Sequence, residues 1–244
     1  MITIQLLGGL GNQMFQRAFG IGLQKRGYKV QYDRSRLIES THREYSLGIF
    51  GNLRFGTPEH PNVLEGQAEV VQPPDTCTMI GYWQSEKYFA PLAREDVKLA
   101  FMFPNPPVME IHSPTIALHV RRQDYVGLQH FHGLPTLDYY REAVKQIRAR
   151  DWVDRVMVFS DDIDWCTQNL PRDFHFVRGT TKYEDMQLMS ECDHIVTANS
   201  SFSWWAAWLG ERPGRIVVTP KRWFSNDAME ATTEDLIPKR WLRV

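Results

Sequence analysis

From residue 115 to the C-terminus the chain repeats a single pattern, a short aliphatic and β-branched run followed by a stretch whose apolar residues recur at helical spacing. Strands are expected at 115–120, 155–160, 174–178, 194–198 and 215–219, and helices over about 137–150, 163–169, 184–191 and 203–209. A tight turn suffices to join antiparallel strands, whereas a helix between successive strands carries the chain back to the same edge and forces parallel pairing with helices on both faces. The expected class is therefore α/β. Ligands of such sheets sit at the carboxyl ends of the strands, so the residues that follow each strand matter most.

The N-terminal half begins in the same way. Residues 2–7 read as a buried strand, Gly8-Gly9-Leu10-Gly11 as a turn, 12–26 as a helix ending near Gly27, and 29–32 as a second strand. Residues 35–78 carry prolines at 58, 61, 73 and 74 with weak periodicity, and read as mostly loop with short pieces of helix or strand. A strand at 79–83 and a helix from Ser85 with a charged face follow. Pro104, Pro106, Pro107 and Pro114 then crowd a segment that can hold neither helix nor central strand. The 244 residues thus divide into an N-terminal α/β domain (1–103), a proline-rich linker (104–114) and a C-terminal Rossmann-like domain (115–244).

A net charge of -1 supplies no global field for nucleic acid or an anionic membrane, so any polyanion must be met locally and the expected partner is small. Three widely spaced cysteines argue against a disulfide framework and a zinc knuckle, and fit a reducing compartment. Met1 leads directly into ITIQLL without a basic leader, and no window approaches the roughly eighteen apolar residues of a spanning helix. The expected location is the cytoplasm, with peripheral contact to the inner membrane through a basic patch left open, as is the oligomeric state.

His119-Val120-Arg121-Arg122-Gln123-Asp124-Tyr125 places two arginines where the strand at 115–120 runs out. A guanidinium is always charged and bidentate toward phosphate oxygens, which suits one of them to clamp a diphosphate; the plain alternative is a surface ion pair with Asp124. Gly8-Gly9-Leu10-Gly11-Asn12-Gln13 offers backbone N–H groups at a helix start, with Asn12 and Gln13 placed to cap that helix or reach a ligand. Ser160-Asp161-Asp162 ends another strand, and its carboxylates suit either a nucleotide or the cap of the next helix. Asp162-Ile163-Asp164 also spells a DxD metal motif, but Asp164 fits the first turn of that helix better and arginines make a cation unnecessary, so no metal and no cofactor are expected. Asn199-Ser200-Ser201-Phe202-Ser203-Trp204-Trp205 gives hydroxyls and donors at a helix N-terminus, with Trp205 and Trp208 read as core.

These blocks together resemble glycosyltransferase family 11, the α-1,2-fucosyltransferases, chiefly the bacterial branch. GGLGNQMFQ at 8–16, GYWQSEKYF at 81–89, HVRRQDYVG at 119–127, HG with LDYYREA at 132–143, FSDD at 159–162, the long block 182–210 and PKRWF at 220–224 occur in the family's order. The resemblance implies a metal-independent inverting transferase of GT-B type, two Rossmann-like domains facing across a cleft, with the N-terminal half toward a galactose-containing glycan acceptor and the C-terminal half holding GDP-fucose. It carries the diphosphate role to Arg121 and places His119 near the guanine, with Asp185 reading guanine N–H groups and Ser200, Ser201 and Phe202 along the phosphates and fucose. Gly9, Asn12, Gln13 and Asp161 complete the expected donor site.

Two departures stand out. The chain is shorter than such enzymes, with the shortfall in the N-terminal half, and Gln129 occupies the position of the glutamate base that core α-1,6-fucosyltransferases carry. Asp124 and His132 are then the candidate bases, His132 serving equally as an acceptor contact, while His130 is given no role. Competing readings are a fucosyltransferase of another linkage or acceptor, a noncatalytic GDP-sugar or glycan-binding protein, and a metal-dependent transferase using Asp162 and Asp164.

Overall fold

The computed structural model describes residues 1–40, 43–58, 63–65 and 73–244, and for Val63–Glu65 and Asp124 the backbone alone. The chain divides into two compact units, Met1–Asn105 and Pro106–Val244.

In the first unit β1 (Ile2–Gln5), α1 (Leu10–Lys25) and β2 (Val30–Asp33) form a βαβ element, followed by a single turn α2 (Ser35–Ile38), then β3 (Val63–Glu65), β4 (Cys77–Ile80) and α3 (Ala90–Ala100). All pairings are parallel, in the order β2-β1-β4-β3. The parts of the expected loop region at 41–42, 59–62 and 66–72 lie outside the described residues.

The first helix starts at Leu10 rather than at residue 12, because Gly8, at φ 73°, makes the turn within a single residue. A Cβ at Gly8 would lie 2.5 Å from the Asn12 amide nitrogen, so glycine is required there on two counts. The strand expected at 79–83 ends at Ile80, since Trp83 adopts a left-handed φ of 45° that drives its ring into the core, stacked on Phe19 at 4.5 Å. Ser85 caps a 3-10 turn over Glu86–Tyr88, and the helix restarts at Ala90, where Pro91 in its first turn costs no hydrogen bond.

Two buried glutamines fasten the loops of this unit. Gln16 accepts from Leu7 N at 3.0 Å and donates to Gly81 O at 2.9 Å, tying the loop after β1 to the loop after β4. Gln13 donates to Gly8 O and Glu44 O and accepts from Ser46 N, at 2.8–2.9 Å.

The second unit runs β5 (Thr115–Val120), the single turns α4 (Gln123–Val126) and α5 (Gln129–His132), α6 (Leu137–Arg148), β6 (Arg155–Ser160), α7 (Ile163–Asn169), β7 (His175–Phe176), α8 (Lys182–Glu191), β8 (His194–Val196), α9 (Ser201–Leu209), β9 (Val217–Thr219), α10 (Asp227–Glu230) and β10 (Leu242–Arg243). The six strands are parallel, in the order β10-β9-β8-β5-β6-β7. The order reverses at β5, whose two neighbours are the next strand in sequence, β6, and β8, which arrives only after β6 and β7. Such a reversal leaves a crevice at the carboxyl edge, here between the ends of β5 and β8.

Strands β7 and β9 are shorter than the sequence pattern. At β9 the reason is Arg215, which is half-buried and donates to Met189 O, Ser190 O and Gly210 O, closing the C-terminal ends of α8 and α9 instead of extending the strand. The tryptophans of α9 are core: Trp204, Trp205 and Trp208 are fully buried, and Trp204 Nε1 donates to Leu236 O at 2.8 Å. β10 is a C-terminal strand that the pattern did not indicate.

Replacing Gln16 by Leu leaves Leu7 N and Gly81 O without their partner, at a cost of about 1–3 kcal/mol for each group left unsatisfied. Urea unfolding of Gln16→Leu is therefore expected to show a lower midpoint at an unchanged slope, and an unchanged midpoint would refute the fastening role.

Candidate active site

The arginines of β5 and the aspartates of β6 meet in register. His119 lies beside Phe159 and Val120 beside Ser160, so the next two positions of each strand come side by side as the strands end. Arg121 Nη1 stands 3.0 Å from Asp161 Oδ2, and Arg122 Nε donates to Asp162 Oδ2 at 3.2 Å. The second Asp161 oxygen accepts from Arg122 N at 2.9 Å.

The two arginines differ in what else holds them. The Arg122 guanidinium lies 3.7 Å from the centre of the Trp165 ring, which occupies its flat face. Asp162 also caps α7 by accepting from Trp165 N at 3.3 Å, so Arg122, Asp162 and Trp165 form a closed structural set. The Arg121 guanidinium carbon lies over the Tyr125 ring, 5.6 Å from its centre, with about a quarter of the side chain exposed. Of the pair, Arg121 keeps the slightly more exposed side chain. Asp161, expected in the donor site, has one carboxylate oxygen facing Arg121 and the other accepting from a backbone N–H.

Across the crevice from Arg121, α9 begins. Ser200 is its cap, accepting from Phe202 N at 3.4 Å, and Ser201 and Phe202 open its first turn half-exposed. The positive end of this helix therefore faces the same crevice as Arg121. His119 is 4 % exposed, its ring 5.5 Å from that of Phe202, and its Nδ1 has no hydrogen-bond partner. Burial first, and the Arg121 charge second, push its pKa down to about 3, so the imidazole is neutral.

On the other side of Arg121 a set of rings follows. Tyr125 stacks on His132 at 4.4 Å and 9°, and His132 meets Phe131 at 4.9 Å and Phe224 at 5.7 Å. Asn199 links them to the strand ends: its Nδ2 donates to His132 O at 2.7 Å and to Trp223 O at 2.8 Å, while Tyr125 Oη donates to Asn199 O at 3.3 Å.

Asp185, in the first turn of α8, accepts from Thr180 Oγ1 at 2.5 Å, and burial raises its pKa. The side chain of Asp124 lies outside the described residues. His130 is exposed. In the first unit Gly9 is the N-cap of α1, with no Cβ to fill the space before the Arg43 guanidinium, and Asn12 Oδ1 accepts from Gln84 Nε2 at 2.8 Å across the reversal between β1 and β4. Gln13 was expected at the donor, but it is fully buried and both amide hydrogens are taken by loop carbonyls, leaving it no donor for a ligand. The DxD carboxylates are engaged by arginines, Asp162 by Arg122 and Asp164 by Arg178 at 2.7 Å. Among the described residues no group of three or more His, Cys, Asp or Glu is placed to hold a metal ion.

The sequence model of Glycosyl transferase family 11 matches residues 78–244, which contain this whole crevice. The chain belongs to that family. Among family 11 relatives, an alpha-1,2-colitosyltransferase of Escherichia coli is 30 % identical over 296 aligned positions that take in all of this chain and 99 % of the relative. That alignment is longer than the 244 residues here, so the relative carries segments this chain lacks. The O-antigen biosynthesis glycosyltransferase WbnK of Escherichia coli is 37 % identical over half of this chain and 43 % of its own length. A galactoside alpha-(1,2)-fucosyltransferase 1 of Leontopithecus chrysomelas is 31 % identical over 38 % of this chain and 28 % of its own length. Among solved structures, the NodZ alpha-1,6-fucosyltransferase superposes with a TM-score of 0.51 at 14 % identity, covering 85 % of this chain and 92 % of that one. The fold is thus α/β of the GT-B type.

In this family 11 chain the sequence marks Asn199 as one of the donors before α9 but gives no sign that it joins distant loops, and it gives none for Trp165 or Phe224, whose contacts are with segments far away in the chain.

His119 and His194 both have lowered pKa values through burial, so below about pH 6.5 the unfolded chain takes up protons that the native state refuses. Their contribution to stability is therefore fully present above about pH 6.5 and declines as the pH falls. The urea midpoint of the wild type is expected to drop between pH 7.5 and 5.5, and that of His119→Gln to drop less; parallel curves would contradict a buried neutral histidine.

Proposed function

We propose that this chain is a galactoside α-1,2-fucosyltransferase that moves L-fucose from GDP-fucose to a galactose hydroxyl of a glycan, with inversion and without a metal. The observation that supports this most is the placement of Arg121 at the carboxyl end of β5, aimed by Asp161 and opposite the N-terminus of α9, at the point where the strand order reverses. A diphosphate there meets a guanidinium on one side and helix donors at Ser200–Phe202 on the other. Buried His119, with its unpartnered Nδ1, lies beside them and suits a polar edge of the base.

The acceptor hydroxyl attacks C1 of the sugar on the face opposite GDP. As the C1–O bond breaks, the ring gains oxocarbenium character and negative charge grows on the β-phosphate. Arg121 and the α9 donors are in place to receive that charge before the reaction begins, which is where electrostatic catalysis gains most. The hydroxyl proton leaves to Asp124 or His132, the carboxylate and the imidazole in the turns that follow Arg121.

The same proposal assigns the second unit to GDP-fucose and the first to the acceptor glycan beyond the galactose that receives fucose, with 104–114 between them. It also locates the enzyme in the cytoplasm, where buried unpaired Cys77, Cys166 and Cys192 stay reduced. No helix among the described residues is long and apolar enough to cross a membrane.

A second reading concerns the donor, because the relative aligned along the whole chain is a colitosyltransferase. Colitose is fucose without its 3-hydroxyl. A pocket that hydrogen-bonds O3 rejects the deoxy sugar by orders of magnitude, whereas one that leaves O3 in water accepts both. The ratio of kcat/KM for GDP-fucose and its 3-deoxy analogue, with lactose as acceptor, decides between the two donors.

Arg121→Ala is expected to lower kcat about a hundredfold or more, corresponding to about 3 kcal/mol of charge stabilisation, with activity in EDTA equal to that without it. Linkage analysis of the product should show fucose on galactose O2. Full activity of Arg121→Ala, or loss of activity with chelator, would overturn the assignment.

A further inference from the structure

Resting on the reading of this crevice as a sugar-transfer site, we propose that Tyr125, Phe131, His132 and Phe224 form the subsite for the acceptor's galactose ring, and that Asn199 and Glu230 are positioning residues that hold it in shape. Tyr125 stacks on His132, and His132, Phe131 and Phe224 contact one another, with centroids 4.4–5.8 Å apart in these pairs; Tyr125 in turn lies 5.6 Å from the Arg121 guanidinium. All four are half-exposed, unlike the aromatic cluster of α9, which is wholly buried and serves the core.

Rings that face water in this way are costly unless something covers them, yet here the backbone is fastened to present them. Glu230 Oε2 accepts from Trp223 N at 2.9 Å and Phe224 N at 2.8 Å, so one carboxylate fixes the Phe224 ring against His132. Asn199 Nδ2 bridges the carbonyls of His132 and Trp223 from the other side. Ser225 completes the join, donating from N to Phe131 O at 3.1 Å and from Oγ to Gln129 O at 2.7 Å. Two segments almost a hundred residues apart are thereby locked into one preorganised wall.

The chemistry of the wall selects its ligand. In galactose the axial O4 leaves the hydrogens of C3, C4 and C5 on one face, an apolar patch that packs flat on an aromatic ring while the hydroxyls stay at the rim. O2 then lies at the edge of the stacked sugar, free to approach a donor held by Arg121, and the His132 imidazole borders the same rim. A glucose epimer, with equatorial O4, lacks that patch on the same face.

Saturation-transfer NMR with methyl β-galactoside, in the presence of GDP, reads occupancy of this subsite without turnover, and calorimetric titration with GDP reads the donor side separately. Phe224→Ala is expected to weaken galactoside binding at least tenfold, with a matching rise in the acceptor KM, while GDP affinity stays within twofold and Phe224→Tyr restores binding. Glu230→Ala should reproduce part of that KM rise with kcat little changed, and Glu230→Gln, which keeps an oxygen for the two N–H groups, should not. Unchanged galactoside signals in Phe224→Ala, or no signal in wild type that still binds GDP, would overturn the subsite and leave the donor reading standing; absence of GDP binding would overturn both.

Discussion

The ion pair between Arg121 and Asp161 is the contact on which the site's geometry depends. A lone arginine at a strand end has several rotatable bonds and samples a wide volume, at a cost of order 2 kcal/mol of rotamer entropy when it is fixed. Here the fixing is done by folding: the parallel register of β5 and β6 carries successive arginines past successive aspartates, and the Arg122 rung, closed by Trp165, keeps that register at the strand ends. A ligand that meets Arg121 finds it already aimed. The same pairing keeps the guanidinium compensated in a half-buried setting until an anion arrives.

Both units use one architectural device. In each, the first strand lies inside the sheet and the chain leaves it in one direction before returning on the other side, so the loops after β1 and β4, and after β5 and β8, flank a crevice. This chain loads these loops with amides and charged groups. In the first unit the amides of Gln13 and Gln16 are consumed in holding the loops, which leaves the Asn12–Gln84 pair at the rim; in the second unit Asn199 does the equivalent work, joining β8 to the turns that bear His132 and Trp223. Precise loops at the end of a sheet need such internal partners, because loop backbone lacks the ladder that satisfies strand groups.

Charge and burial divide the labour among the polar residues of the crevice. His119 is kept neutral by burial beside a permanent cation, so it can accept or donate one hydrogen bond but contributes no charge to a diphosphate. Arg121 supplies the charge, and the first turn of α9 supplies direction. His132 stacks on Tyr125, whose ring also lies near Arg121, and remains half-exposed.

The alternation of strand and helix patterns was enough to establish a parallel α/β fold, and the boundaries of β5, β6 and α7 agree with the pattern because those segments carry unbroken apolar runs between clear turn residues. Local chemistry also drew attention to Arg121 and to the hydroxyls before α9, since both sit at element ends where sequence signals are strong. Three things escaped it. The end of β4 depended on Trp83 turning into the core, the length of β9 on Arg215 closing two distant helices, and the aromatic wall on the join between residues 129–133 and 223–225. Each is a contact between segments far apart in the chain, for which neither periodicity nor spacing carries a signal. The sequence by itself determined which residues could bear the chemistry; the strand order, set by burial of both faces of β5, decided which of them meet.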